Sequence, residues 1–425
     1  MTVAAHTLGC KVNQCDTETL LTELRNMGFV VIPFEHKADV YIVNTCTVTH
    51  TGDKKSKQTV RRARKQNPSA YVAVCGCMAK NTPKPTYEAG ADFVFDARDP
   101  DIFFSKMRGF VKKAASAPVG DVKREQKKRV SRTRAFIKIQ DGCDRFCSYC
   151  IVPYMRGKPI SRPMSDILSE TRVLVQNGTR EVVLTGIQAA SYVDGKTRSP
   201  LGTLIKEVGQ VNGLERLRLS SIDPWAVNDA FLSAVAETPS LCEHFHLSLQ
   251  SGSDKILKSM NRQYGTGDFV KAAAKIRNLR PRAAITTDII VGFPGENDAD
   301  FSETISFVKE MKFAGIHVFE YSPRDGTKAA NFPEQVSHAE KTRRGKEMRD
   351  AADELKSNFL REQIGTVQSV LFESEKSPGV FSGHGSNYSL VEVKSDENII
   401  NVIKNVQITD STHSSLTGDI NKKEN

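Results

Sequence analysis

The 425-residue sequence holds a single Trp, and aromatic residues make up only 7% of it. No apolar run approaches the ~18–20 residues of a membrane span, which argues against an integral membrane protein. The opening stretch, MTVAAHTLGCKVNQ, lacks a charged region followed by an apolar one, so no secretory signal is expected. Without a signal, nine cysteines in clustered spacings argue for thiols or metal ligands rather than disulfides, and for a cytoplasmic location. Acidic residues are in deficit: 50 Asp and Glu face 60 Lys and Arg, leaving a net charge of +10 and a pI near 9.0. That excess suits a polyanionic partner without establishing one. What remains is a soluble globular composition, 39% apolar and 26% charged, in a chain long enough for two or three domains.

A fourth ligand is missing from the most informative stretch. Asp141-Gly142-Cys143-Asp144-Arg145-Phe146-Cys147-Ser148-Tyr149-Cys150 places three cysteines within eight residues, spaced C-x3-C-x2-C. A tetrahedral zinc site or a fully ligated iron–sulfur cluster takes four protein ligands, and no further Cys or His lies close by. A [4Fe–4S] cluster on three thiolates leaves one iron open to a small molecule. The competing readings are a structural zinc knuckle or loose surface thiols. The spacing, with Tyr149 before the last cysteine, resembles the signature of the radical-SAM enzymes, whose open iron is chelated by S-adenosylmethionine (SAM). That resemblance implies a radical cluster on Cys143, Cys147 and Cys150.

Residues 2–8, 40–45, 70–76 and 92–95 read as strands. Between the first two, Asp16-Thr17-Glu18 opens an amphipathic helix carrying Leu20, Leu21, Leu24 and Met27, which Gly28 stops. The alternation implies a small parallel sheet with ligand sites beyond its strand C-termini. Cys10, Cys46, Cys75 and Cys77 follow three of those ends, where three loops can converge on one cluster; buried free cysteines are an equally open explanation. The blocks LGCKVNQ, NTCTVT and GCMAK resemble the N-terminal domain of the methylthiotransferases, a radical-SAM family. The resemblance implies an auxiliary [4Fe–4S] cluster on Cys10, Cys46 and Cys77. Cys75 and Cys15 read as spare thiols, with Cys75 a potential substitute for Cys77.

The expected fold is α/β in three parts: an N-terminal parallel α/β domain over 1–111, a central open (β/α)6 partial barrel with its following helix over 134–362, and a small antiparallel β-barrel with a polar tail over 363–425. A basic linker, 112–133, joins the first two; it reads either as a solvated tether or as a phosphate-backbone contact. Central strands are expected at 134–140, 181–185, 216–221, 244–250, 284–291 and 315–322, with reactive groups at their C-terminal ends. Those ends carry Gly186 and Gln188, Ser221, Gln250 and Ser251, and Arg324, while Asp288 sits inside an apolar strand where a carboxylate needs a partner. HLSLQSGSD, TTDIIVGFPGE and YSPRDGT resemble methylthiotransferase blocks in the family's order, which implies SAM-binding roles for these seven residues. Each loop alone is as readily a turn or a helix cap. The terminal barrel resembles an RNA-binding module, although its aromatics are few (Phe372, Phe381, Tyr388), and the tail after Leu416 reads as disordered.

The activity implied by the resemblance is transfer of a methylthio group to an unreactive C–H bond. One SAM methylates sulfur held at the auxiliary cluster, and another is split by the radical cluster to a 5′-deoxyadenosyl radical. The block Gly9-Cys10-Lys11-Val12-Asn13-Gln14 is most similar to the branch that modifies C2 of N6-threonylcarbamoyladenosine at tRNA position 37. Sister branches act on N6-isopentenyladenosine in tRNA or on a ribosomal-protein aspartate. A monomer that binds tRNA and a flavodoxin- or ferredoxin-type electron donor, and no membrane, is expected. A reading from another class is a noncatalytic iron–sulfur RNA-binding protein.

Overall fold

The computed structural model describes residues 1–115 and 133–421. The N-terminal part runs β1 (Thr2–Thr7), α1 (Lys11–Asn26), β2 (Val30–Ile32), β3 (Val40–Thr45), α2 (His50–Gln66), β4 (Tyr71–Gly76), α3 (Cys77–Asn81), α4 (Pro83–Glu88), β5 (Phe93–Val94) and α5 (Asp101–Ala115). Its strands form a parallel sheet in the order β2-β1-β3-β4-β5. Central β3 is buried at all six positions, because helices cover both faces of a parallel sheet. Two expectations change here. Helix α1 starts five residues before Asp16, so Cys10 stands at its N-cap and Asp16 and Thr17 are buried in its middle. The basic linker was expected from 112, but α5 continues to Ala115; the rest of it, 116–132, lies outside the described residues.

The central part runs β6 (Arg134–Asp141), α6 (Val152–Arg156), β7 (Ile160–Ser161), α7 (Met164–Gln176), β8 (Glu181–Gly186), α8 (Leu201–Gly209), β9 (Arg216–Leu219), α9 (Asp229–Glu237), β10 (His244–His246), α10 (Asp254–Ser259), α11 (Thr266–Leu279), β11 (Ala284–Val291), α12 (Asp298–Met311) and β12 (Gly315–Glu320). Strands β6-β8-β9 and β10-β11-β12 are parallel sets, joined where Ile222 and Leu247 pair in parallel. The result is an open wall of six parallel strands, with short β7 antiparallel on β6. Outward-facing Ile137, Leu184, Leu217, Phe245 and Ile285 pack with the helices into one core. Polar side chains therefore fall on the opposite face, the barrel lumen.

Helix α13 (His338–Arg361) leads to β13 (Val367–Ser377), β14 (Val380–Gly385), β15 (Leu390–Lys394), β16 (Ile403–Ser411) and β17 (Leu416–Ile420), a closed barrel. The tail expected to be disordered is instead its closing strand. Leu416 is fully buried, and β17 bridges β15 and β16, so polar Thr417, Gly418 and Asp419 are held by backbone pairing. Phe372 and Phe381 fill the barrel core rather than a nucleic-acid face. Tyr388 stacks between His244 and His384, with ring centroids 4.9 Å from each, where the small barrel meets the N-terminal ends of the central strands.

Candidate active site

The loop after β6 carries Cys143, Cys147 and Cys150. Its turns are fixed by Cys143 N–H donating to Gly157 O (2.9 Å), Cys150 N–H to Cys147 O (2.9 Å) and Ser148 N–H to Met260 O (3.0 Å). Burial pushes the Cys150 thiol up to about 12, against a lowering by the Val152 N–H, and raises Cys143 as well. Cys147 accepts a hydrogen bond from Arg262 Nη1 at 3.3 Å, and the same guanidinium pairs with Asp223. Three clustered cysteines, two of them thiols that burial makes costly to ionise alone, with N–H and guanidinium donors close to their sulfurs, suit a cationic cluster that takes thiolates.

Cys10, Cys46 and Cys77 converge from three separate loops. Burial pushes Cys77 up to about 11, opposed by Arg156, with Cys10 and Cys46 near enough to raise it further. Burial likewise raises Cys46, beside Cys10. Gly9, at φ +98°, makes the approach possible: a Cβ there would stand 3.2 Å from Cys46 Sγ and 3.0 Å from its Cβ. Buried Asn13 holds the loops in register, donating to Leu8 O (2.8 Å) and Thr45 O (3.1 Å). Cys75 is elsewhere. It is fully buried in the sheet core with Val3, Ala73 and Phe103, on β4 two residues before Cys77, which opens α3. Cys15 donates to Phe136 O (3.6 Å), and burial pushes it up to about 12.

The two cysteine sets are joined by a buried charge network. Arg156, at the end of the radical loop, pairs with Asp141 (2.8 Å) and Asp16 (3.2 Å) and donates to Asn13 Oδ1 (2.6 Å). Lys138 also pairs with Asp16 and with Asp141 (3.1 Å). None of these residues was singled out from sequence as a site residue, because each is an ordinary charge until the domains pack.

The other expected site residues separate. Gly186 closes tightly on Gln140: a Cβ there would lie 3.1 Å from three Gln140 atoms. Gln140 in turn donates to Gly142 O (2.8 Å) and accepts from Gln188 N–H (2.8 Å), so this turn braces the radical loop. The Gln188 amide is buried, and among the described residues neither of its side-chain atoms has a partner, a donor–acceptor pair open to a polar ligand. Ser221 is exposed; the buried, unpartnered hydroxyl is that of Ser220. Gln250 adopts φ +79°, and its backbone bridges to β11. Ser251 is engaged with Thr304 (3.3 Å) and Ser253 N–H (3.2 Å), a local turn rather than an open ligand site. Asp288 has its partners, His246 Nε2 and His317 Nδ1, both at 3.1 Å. Arg324 does not point at a free carboxylate: it binds Asp53 and Thr47, each at 2.6 Å, and so clamps the loop after β3 to the central barrel.

Lys11, next to Cys10, enters the lumen, its Nζ 5.9 Å from the Phe136 ring centroid. Burial, then the like charges of Arg218 and Arg134, lower its affinity for a proton.

Residues 137–308 match the family described as Radical SAM superfamily, and residues 2–96 the uncharacterized protein family UPF0004. The chain is 36% identical over 425 residues to threonylcarbamoyladenosine tRNA methylthiotransferase MtaB of Bacillus subtilis (strain 168), spanning 96% of this chain and 93% of the relative. The chain belongs to the radical-SAM methylthiotransferases. Another MtaB, from Thermotoga maritima, is 37% identical over 393 residues, covering 91% of this chain and 90% of that one. The tRNA-2-methylthio-N(6)-dimethylallyladenosine synthase of Alkaliphilus oremlandii is 34% identical over 433 residues, covering 97% and 91%. Among solved structures, the radical SAM methyltransferase TsrM from Kitasatospora setae, with cobalamin and a [4Fe-4S] cluster bound, superposes with a TM-score of 0.56 at 13% identity, over 90% of this chain and 80% of that one. That likeness is one of fold. As a radical-SAM methylthiotransferase the enzyme uses SAM and [4Fe–4S] clusters. No helix among the described residues is long and apolar enough to cross a membrane.

Proposed function

We propose that this methylthiotransferase modifies tRNA, adding a methylthio group at C2 of N6-threonylcarbamoyladenosine at position 37. The observation that carries the reading is the pairing of two three-cysteine sites through the network of Asp16, Arg156, Asp141 and Lys138. In this reading Cys143, Cys147 and Cys150 hold the radical cluster, and Cys10, Cys46 and Cys77 the auxiliary one. When bound, these clusters and SAM supply the radical that removes hydrogen from an unreactive C–H bond and the methylated sulfur that replaces it. The chain's own part is positional. Arg262 donates a hydrogen bond to Cys147 Sγ and orients it, and the Gln140–Gly186–Gln188 turn presents an amide unpartnered among the described residues beside the radical loop, where it can bind SAM. Arg324 and Arg156 hold the auxiliary loops against the barrel, the placement a substrate carbon reacting at both sites would need.

The threonylcarbamoyl branch is favoured over the isopentenyl branch by the somewhat higher identity to enzymes named for it. Soluble expression in the cytoplasm as a monomer, with a flavodoxin- or ferredoxin-type electron donor, completes the proposal. Mass spectrometry of tRNA nucleosides from cells with and without the gene tests it. Loss of methylthio-threonylcarbamoyladenosine with accumulation of its precursor supports the reading. Loss of methylthio-isopentenyladenosine alone overturns the branch, and unchanged tRNA moves the substrate to the ribosomal protein.

A further inference from the structure

The lumen near the N-terminal ends of the central strands carries more positive than negative charge. Glu181, 1% exposed, is shared by Arg218 (2.7 Å), Arg216 (3.1 Å) and Arg134 (3.6 Å). Arg134 reaches on to Glu373 of the terminal barrel, and among the described residues the Arg216 Nη2 finds no acceptor. Asp288, the third carboxylate, is already occupied by His246 and His317. Lys11 joins this group from the first turn of α1, which packs on β6 and β8. Among the described residues, the three arginines share Glu181 and Glu373, the histidines take up Asp288 and the rest of Glu373, and Lys11 is left without a carboxylate. Among the described residues its ammonium has neither a hydrogen bond nor an ion pair; its near neighbour is the face of Phe136. A half-buried ammonium without a counter-charge is unfavourable, and an anionic guest relieves it.

We infer that Lys11 receives the carboxylate of the threonylcarbamoyl group on the substrate adenosine. The inference rests on the substrate reading above and deepens it. With C2 held between the two cysteine sites, the carboxylate lies at the end of the N6 arm, away from the reacting carbon. Lys11 follows Cys10 directly, so it stands between the auxiliary site and the lumen. An isopentenyl arm has no charge to offer and leaves the ammonium unpaired, so the same residue that welcomes one substrate disfavours the other.

The test uses cluster-reconstituted wild type, Lys11→Met and Lys11→Arg. The ligands are anticodon stem-loop RNAs carrying N6-threonylcarbamoyladenosine, its methyl ester, or N6-isopentenyladenosine. Dissociation constants are measured anaerobically, turnover is followed separately, and iron content checks each variant. Wild type is expected to bind the free acid about 10- to 100-fold tighter than the ester, the range of a charge-assisted hydrogen bond. Lys11→Met should bind the acid as weakly as the ester, and Lys11→Arg should keep most of the preference. A preference that survives in Lys11→Met, or is missing in wild type, overturns the assignment. So does a Lys11→Met protein that merely loses iron while its preference stays unchanged, since that marks a residue serving the cluster alone. Wild-type turnover of the isopentenyl RNA only overturns the substrate reading itself, which the binding ratios do not report.

Discussion

The radical loop and the auxiliary site each present three cysteines, but they are built in opposite ways. Cys143, Cys147 and Cys150 come from one turn whose shape is set by local hydrogen bonds and by Met260 and Gly157 close beside it. Cys10, Cys46 and Cys77 lie on loops after β1, β3 and β4 and meet only when the sheet is in register and Gly9 lets Cys46 approach. A local site tolerates changes elsewhere in the fold, whereas a site assembled from distant loops depends on every contact that stitches them together. Arg156 is where the two dependencies meet, since it touches Asn13 and Asp16 from one side and Asp141 from the other.

Removing one thiol from each site breaks the comparison most severely. Cys147→Ala should abolish reductive cleavage of SAM. Cys10→Ala should retain cleavage, lose methylthio product and lower iron by about half, as expected if each site holds one cluster. Chromatographic assay of 5′-deoxyadenosine beside product and iron content separates the two. Retained product in Cys10→Ala would remove Cys10 from the auxiliary site.

Arg156→Met is the next largest effect. It leaves Asp16 and Asp141 short of a buried partner, and breaking such a pair costs about 3–5 kcal/mol. Denaturant unfolding should show that loss, and iron should fall at both sites rather than one. Cys75→Ser is smaller. A hydroxyl without a partner in the sheet core costs about 1–3 kcal/mol, yet full iron content is expected, whereas Cys77→Ser should lose the auxiliary cluster. Equal iron loss in the two variants would mean that Cys75 serves as a ligand.

The last effect, confined to pH above about 9, is a pH dependence of the metal-free protein. Burial raises Cys77 to about 11 and Cys150 to about 12, so between pH 9 and those values the folded chain holds protons that the unfolded chain has released. Stability is therefore present below about pH 9 and declines as pH rises through that window. Cys77→Ser and Cys150→Ser should each flatten the decline in thermal melts, and bound clusters, which take thiolates, should suppress it.

Much of this was legible beforehand where physics is local. The apolar run of β3, the alternation of β11 and the C-x3-C-x2-C spacing each express a rule that acts over a few residues. Even Asp288's need for a partner could be stated, since burial of a lone carboxylate is unfavourable. Misreadings came where a residue's surroundings arrive from far away. Asp16 was taken for the acidic start of a helix, but it lies inside α1 because Lys138 and Arg156 neutralise it. Arg324 was expected to face SAM, and its pairing with Asp53 on the loop side could not be read from the sequence. Polar Leu416–Ile420 was taken for a tail, but two neighbouring strands supply its hydrogen bonds.

The order of strands and helices was readable from periodicity along the chain, while the assignment of both cysteine sets to one enzyme type came from the resemblance of their blocks to the methylthiotransferases. Tertiary structure decided that Cys75 is buried in the sheet core while Cys77 lies beside Cys10 and Cys46, what Arg156 and Arg324 bind, and that Lys11 has no ion pair among the described residues. Charge pairing and burial depend on distance in space, and for these residues the partner lies in another domain.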